Sequence, residues 1–275
     1  MKTPSALPPI EAVDAIIREV AADEIMPRFR ALADHEITEK NPGDIVTSAD
    51  FEAEARLTEA LGLLVPGSAV VGEEAAEDDP GILRALGGEA PVWLVDPLDG
   101  TRNFAEGREC FAVIVAYCRG GETLAGWIHD PIADVTIWAA AGEGAWMAGE
   151  RLATARLVPI AGMRGSLGRK FRKRFENRGK SRTDHAPASM TRVGCVGREY
   201  MDLARGRLHF AQYAQRLKPW DHAAGVLLHR EAGGFNGLTE GRGPYYPAPR
   251  IQYTSLLLAP DKTAWDSLHA VLAGG

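Results

Sequence analysis

Apolar positions recur along this chain with two periods, and between them they mark out most of its elements. Ile10, Val13, Ile16, Ile17 and Val20 stand at helical spacing, which predicts an amphipathic helix over residues 10–26 that ends or kinks near Pro27. Ala53, Leu57, Leu61 and Leu64 repeat that spacing, with Thr47 and Ser48 placed as N-caps and Asp50 in the first turn. Short apolar runs read as strands over residues 69–71, 92–95, 111–117, 123–129 and 135–139. Gly120-Gly121 separates two of them and predicts a hairpin. Glycines between 142 and 149 suggest further turns and another strand. Downstream, the pattern predicts a strand into a turn over 193–197, a helix over 199–204 and a strand over 208–213. A turn at Pro219 leads into a helix that carries Ala224, Leu227 and Leu228, followed by a strand over 253–259 and a helix over 262–273.

Helices mixed with strands on short connections predict antiparallel pairing and an α+β or layered α/β fold. The 275 residues suffice for one large domain or two closely packed halves, 1–153 and 154–275. Hydrophobic content of 45% and charged content of 25% suit a soluble globular protein. No run is long enough to span a bilayer, and residues 1–9 lack a signal-peptide core, so no membrane association is expected. Cys110, Cys118 and Cys195 form neither a disulfide framework nor a zinc pair, which predicts a cytoplasmic location. The net charge of −6 argues against nonspecific nucleic-acid binding. One stretch departs from this balance: eight of the fourteen residues from Arg169 to Arg182 are Lys or Arg. It reads as a solvated basic helix docked through Phe171 and Phe175, or as a patch for a polyanion.

The chemistry concentrates just past the apolar run at 92–95. Asp96-Pro97-Leu98-Asp99-Gly100-Thr101 puts two carboxylates on a tight corner, with Pro97 and Gly100 shaping the backbone. Two such acids fit an Asx turn and helix N-cap, or a hard cation held by oxygen ligands. A helix starting near Thr101 would add free N–H groups suited to an anion. Further acids stand at other predicted element ends: Asp50, Glu73 and Asp221. If all converge, cations must offset their repulsion.

The run D-P-L-D-G-T-R-N-F from Asp96 to Phe104 resembles the signature of the inositol monophosphatase family of metal-dependent, lithium-sensitive phosphatases. Gly72-Glu73-Glu74 upstream matches that family's G-E-E. Trp220-Asp221-His222-Ala223-Ala224-Gly225, continuing to Glu231-Ala232-Gly233-Gly234, matches its third block in order and spacing. The resemblance implies an αβαβα sandwich, a homodimer, and two to three Mg²⁺ ions per site. It assigns Glu73, Asp96 and the Leu98 carbonyl to one metal, Asp96, Asp99 and Asp221 to a second, and Glu73 to a looser third. It pairs Asp50 with Thr101 as the catalytic couple that takes the proton of the attacking water. Gly100 and Thr101 would cradle the phosphate, and Asp99, Asp221 and the segment Gly194-Cys195-Val196 would contact substrate. Lys40 sits in a similar segment, one residue closer to Asp50 than in some members. Where many inositol-selective members carry a glutamate, seven residues before the third-block aspartate, this chain has Ala214. A small phosphorylated metabolite such as inositol 1-phosphate is the expected substrate, with histidinol phosphate, a sugar phosphate or a nucleotide 3′-phosphate as alternatives. A regulatory or RNA-associated protein on the same fold is the reading from another class.

Overall fold

The computed structural model describes residues 7–41, 44–168, 171–173 and 186–273. Its first helix, Ile10–Val20 (α1), buries Val13, Ile17 and Val20 on one face. The helical path continues through a π turn at Ala21–Ile25 and a 3-10 turn at Met26–Arg28, which contains Pro27. A hairpin that the apolar pattern does not predict comes next: Ile37–Asn41 (β1) pairs antiparallel with Asp44–Thr47 (β2). Their sequences are largely polar and give no clean period of two. Ser48–Leu64 (α2) follows at once and buries Ala53, Leu57 and Leu61.

Ala69–Gly72 (β3) lies parallel to Val92–Asp99 (β4), because Glu73–Asp78 (α3) and a 3-10 turn at Pro80–Gly87 carry the chain back between them. Thr101–Ala105 (α4) ends β4. Ala112–Arg119 (β5), Glu122–Asp130 (β6), Val135–Ala140 (β7), Gly144–Met147 (β8) and Glu150–Arg151 (β9) then pair antiparallel in sequence order. The expected hairpin at Gly120-Gly121 is present, with φ of 58° and 78°. This seven-stranded sheet has the order β3-β4-β5-β6-β7-β8-β9.

A second sheet of five strands has a more crossed topology. It contains Arg164–Leu167 (β10), Ser189–Thr191 (β11), Phe210–Leu217 (β12), Phe235–Leu238 (β13) and Gln252–Ala259 (β14), in the order β11-β10-β12-β14-β13. β10 is parallel to both its neighbours, whereas β14 is antiparallel to β12 and β13. Helices Val196–Ala204 (α5) and Pro219–Glu231 (α6) interrupt these strands, and Lys262–Ala273 (α7) closes the sequence of elements. Gly168 and residues 171–173 of the basic stretch are described; the rest of the helix expected there lies outside the described residues.

Side-chain parity stacks these elements in five layers. On β4, Trp93 and Val95 join α1 and α2 in one core with Val13, Ile17, Leu57 and Leu61. Val92 and Leu94 point the other way, into a core shared with Tyr200 of α5, Leu227 and Leu228 of α6, and Leu256 and Leu258 of β14. On β14, Leu257 and Ala259 face outward to Trp265 and Leu268 of α7. The order is therefore helices, sheet, helices, sheet, helix, the αβαβα sandwich that the family resemblance implies. Contact at the centre is close: a Cβ on Gly126 of β6 would stand 2.8 Å from Ala224 Cα of α6. The absence of that side chain fixes how near α6 sits to the larger sheet.

Candidate metal centre

Parity also delivers the first carboxylate. Positions 92 and 94 face the layer holding α6, so 96 continues on that side, and Asp96 is buried at the end of an apolar strand. Pro97 interrupts the ladder there, and the register with β5 shifts between Asp96 and Asp99. Asp96 Oδ1 accepts 3.1 Å from the Leu98 N–H, so the Asx turn weighed from the sequence is also present. The parallel register Gly72↔Val95 sets the end of β3 beside that of β4, and Glu73 begins α3 there. Asp221 arrives in the first turn of α6 behind Pro219, a residue suited to the opening of a helix. Glu73, Asp96 and Asp221 each bring a carboxylate oxygen within 4.8 Å of the others.

Burial raises the pKa of Asp96 well above the ordinary carboxylate range, and the charges of Glu73, Asp99 and Asp221 push it further. Asp221 is raised in the same way, first by burial and then by Glu73. An all-oxygen set of acids that resist ionising alone is what a hard dication would relieve. The residues present therefore fit magnesium.

Asp99 lies outside that 4.8 Å group. Its Oδ2 accepts 2.6 Å from the Gly197 N–H and 3.0 Å from the Cys195 thiol, across a sequence gap of nearly a hundred residues. Burial raises its pKa to about 6, while these hydrogen bonds hold it down. The same contacts correct the strand expected over 193–197. Residues 192–195 form a loop, and α5 begins at Val196, because the Asp99 carboxylate satisfies a backbone N–H at the helix start. Gly194, Cys195 and Val196 are thus brought to the acidic corner as a loop and helix start. Asn103 Nδ2 ties this loop down, donating to the Val193 carbonyl at 2.9 Å and to the Cys110 carbonyl at 2.8 Å. Gly100 has a φ of 91°, and a Cβ there would press within 2.9 Å of the Cys110 carbonyl oxygen, so the corner requires glycine.

Asp50 makes contacts through both of its carboxylate oxygens. Its Oδ2 accepts from the Thr47 N–H at 2.8 Å and the Thr47 hydroxyl at 2.7 Å, capping α2. Its Oδ1 faces Thr101 Oγ1 at 3.0 Å. The Thr101 hydroxyl also lies 2.9 Å from the Leu98 carbonyl oxygen, and its single proton serves one acceptor at a time. Burial raises Asp50 to about 7.

The pattern of acids gives no hint of the basic groups found beside them. Lys218 Nζ contacts the Glu73 carboxylate and lies 2.9 Å from Glu77 Oε1. Lys40 contacts Glu74 and lies 2.8 Å from Glu77 Oε2. Glu54 of α2, also unexpected, accepts from the Glu74 and Ala75 N–H groups at 2.8 and 2.9 Å and steadies the start of α3. Lys218 stands in the block Lys-Pro-Trp-Asp, and a lysine three residues before Asp221 was the available signal. Among the described residues no helix is long and apolar enough to cross a membrane.

The chain is similar to known proteins in sequence and in fold. The sequence model of the inositol monophosphatase family matches residues 8–272. The inositol-1-monophosphatase of Bacillus subtilis is 33% identical over 210 residues, spanning 74% of this chain and 76% of that protein. The fructose-1,6-bisphosphatase/inositol-1-monophosphatase of Thermotoga maritima is 32% identical over 203 residues, spanning 71% and 73%. A solved IMPase structure from Thermotoga maritima shares the fold, with a TM-score of 0.79 at 24% identity over 96% of both chains.

Proposed function

The chain belongs to the inositol monophosphatase family and is a phosphoric monoester hydrolase; from that premise we propose that it uses magnesium to hydrolyse a small phosphorylated metabolite resembling inositol 1-phosphate. The observation that carries this reading is the convergence of Glu73, Asp96 and Asp221 from three separate elements to within 4.8 Å. In the proposal Glu73, Asp96 and the Leu98 carbonyl hold one ion, and Asp96, Asp99 and Asp221 hold a second. Glu73 also serves a looser third. Bound magnesium would polarise phosphoryl oxygens and acidify water.

The chain's own residues supply the rest. Thr101 Oγ1 takes a proton from the attacking water as its own proton moves to Asp50 Oδ1, 3.0 Å away. Asp50 suits that step because its raised pKa, about 7, lets it accept a proton near neutrality. The N–H groups of Gly100 and Thr101 orient the phosphate. Asp99, Asp221 and the segment Gly194-Cys195-Val196 face the departing alcohol. Ala214 removes a carboxylate that would select for inositol hydroxyls, so a sugar phosphate is the second reading, favoured by the double activity named for the Thermotoga maritima relative. Histidinol phosphate and nucleotide 3′-phosphates complete the candidate set. A cytoplasmic homodimer belongs to the same proposal.

Phosphate release from a panel of these esters tests it, with Mg²⁺ present and after EDTA. Release that needs Mg²⁺ and stops in EDTA is expected. Full activity after exhaustive dialysis against EDTA, or no release from any ester, would overturn it.

A further inference from the structure

Lys218 is the cation nearest the acidic centre for which the proposed mechanism has no task. Its side chain is only 17% exposed, and its ammonium touches Glu73 at one side and Glu77 at the other. The Trp220 ring lies 5.6 Å away and walls it in. Glu77 is itself shared, since Lys40 binds its second oxygen. The alternating series Lys40, Glu77, Lys218, Glu73 therefore runs from a cavity of about 730 Å³, which Lys40, Glu77 and Trp220 help to line, to the converging carboxylates.

Resting on the metal reading of that cluster, we propose that Lys218 is an internal counter-ion that occupies Glu73 in the metal-free protein, competes with the incoming dication, and retreats to Glu77 when the cation binds. Three acids crowded within 4.8 Å are costly without positive charge, and one ammonium offsets part of that cost. The same ammonium repels a second cation. Coulomb interaction between one and two unit charges across a few ångströms alters affinity by roughly tenfold even at high effective dielectric. Glu77 makes the exchange workable, because Lys218 keeps a charge-assisted hydrogen bond there and is never left buried without a partner. The role is one of positioning: Lys218 sets how tightly the centre holds its metal.

Calorimetric titration of Mg²⁺ into the metal-free protein reads this directly, without turnover. Lys218→Gln should bind Mg²⁺ roughly tenfold more tightly than the wild type, and its metal-free form should melt at a lower temperature. Lys218→Arg, which keeps the charge, should stay within about threefold of wild type. Lys262→Gln removes a charge from an exposed pair with Asp266 and should leave binding unchanged. Glu77→Gln gives a second test: with its retreat removed, Lys218 stays on Glu73, and Mg²⁺ binding should weaken. Unchanged or weaker binding in Lys218→Gln, or unchanged or tighter binding in Glu77→Gln, would overturn the inference while leaving the metal reading intact. An absence of saturable Mg²⁺ binding in the wild type would remove the metal reading itself, and this inference with it.

Discussion

The Thr101 hydroxyl lies 3.0 Å from Asp50 Oδ1 although 51 residues separate the two in sequence. Each sits in the first turn of its own helix, and the other Asp50 oxygen is fixed by Thr47. The couple is therefore held from both ends. If it moves the proton of the attacking water, Thr101→Ala and Asp50→Asn should each lower kcat by roughly a hundredfold or more, with KM little changed. The double variant should be no worse than the poorer single one, and Thr101→Ser should recover most activity. Losses that multiply would show two independent roles.

Asp96→Asn should abolish most turnover while the protein stays folded. On the proposed ligand set Asp96 would serve two metals, one amide oxygen would not replace its carboxylate, and a loss of roughly a hundredfold or more is expected. Asp96 is buried and strained by its acidic neighbours, so neutralising it removes repulsion in the metal-free state. Thermal melts should show an unchanged or higher Tm without metal and a smaller rise on adding Mg²⁺. Turnover close to wild type would reduce Asp96 to a turn residue.

Stabilisation by saturating Mg²⁺ should grow between pH 5 and pH 8. Asp50 and Asp99 have folded pKa values of about 7 and about 6 against an ordinary 3.8, and Asp96 and Asp221 are raised as well. A raised carboxylate favours the folded state fully below its unfolded value, and that contribution is lost as the pH rises through its folded value. Metal-free stability from this cluster therefore declines above about pH 4 and is lost through pH 6 to 7. On the proposed ligand set Mg²⁺ would hold Asp96, Asp99 and Asp221 ionised and restore their part of it. Buried His129, His222 and His229 are held low, at about 4, 3 and 3, and act on absolute stability in the opposite sense. They are present with and without metal, so the difference in Tm isolates the carboxylates. A difference that stays flat across this range would count against the cluster as the binding site.

Gly126→Ala should weaken metal binding from a distance. The new Cβ would meet Ala224 Cα at 2.8 Å and lift α6, whose first turn carries Asp221. Overpacking should cost about 1–3 kcal/mol of stability, and the Mg²⁺ dissociation constant should rise by roughly tenfold. Leu268→Ala, in the outer core under α7, should destabilise by about 2–5 kcal/mol yet leave Mg²⁺ binding alone. Equal effects of the two variants on affinity would mean that general loosening, not the height of α6, sets it.

The sequence made the acidic corner legible because its constraints are local. Pro97, Gly100 and the apolar run over 92–95 lie within nine residues, and short-range sterics decide their conformation. Long helices and the β5–β6 hairpin were readable for the same reason. The β1–β2 hairpin, β10 and β13 were not, since they are short, polar or glycine-bearing strands stabilised by neighbours remote in sequence. The segment at 193–197 misled because a carboxylate 98 residues upstream of Gly197 bonds to the helix start. Lys218 and Glu54 act through partners that no periodicity connects, 145 and 20 residues away.

Helix α6 lies with α5 between the two sheets, and its first turn brings Asp221 to the acidic centre. During synthesis, a growing chain that has emerged only through β9 already owns Glu73, Asp96 and Thr101, yet lacks Asp221 and the lysine 145 residues beyond Glu73. On the proposed ligand set, hydrolytic competence arrives late and in one step, when α6 settles against Gly126. Products of translation or proteolysis that end before α6 lack Asp221 and should be catalytically silent. On that ligand set, phosphatase activity reports that the chain has been made at least through α6.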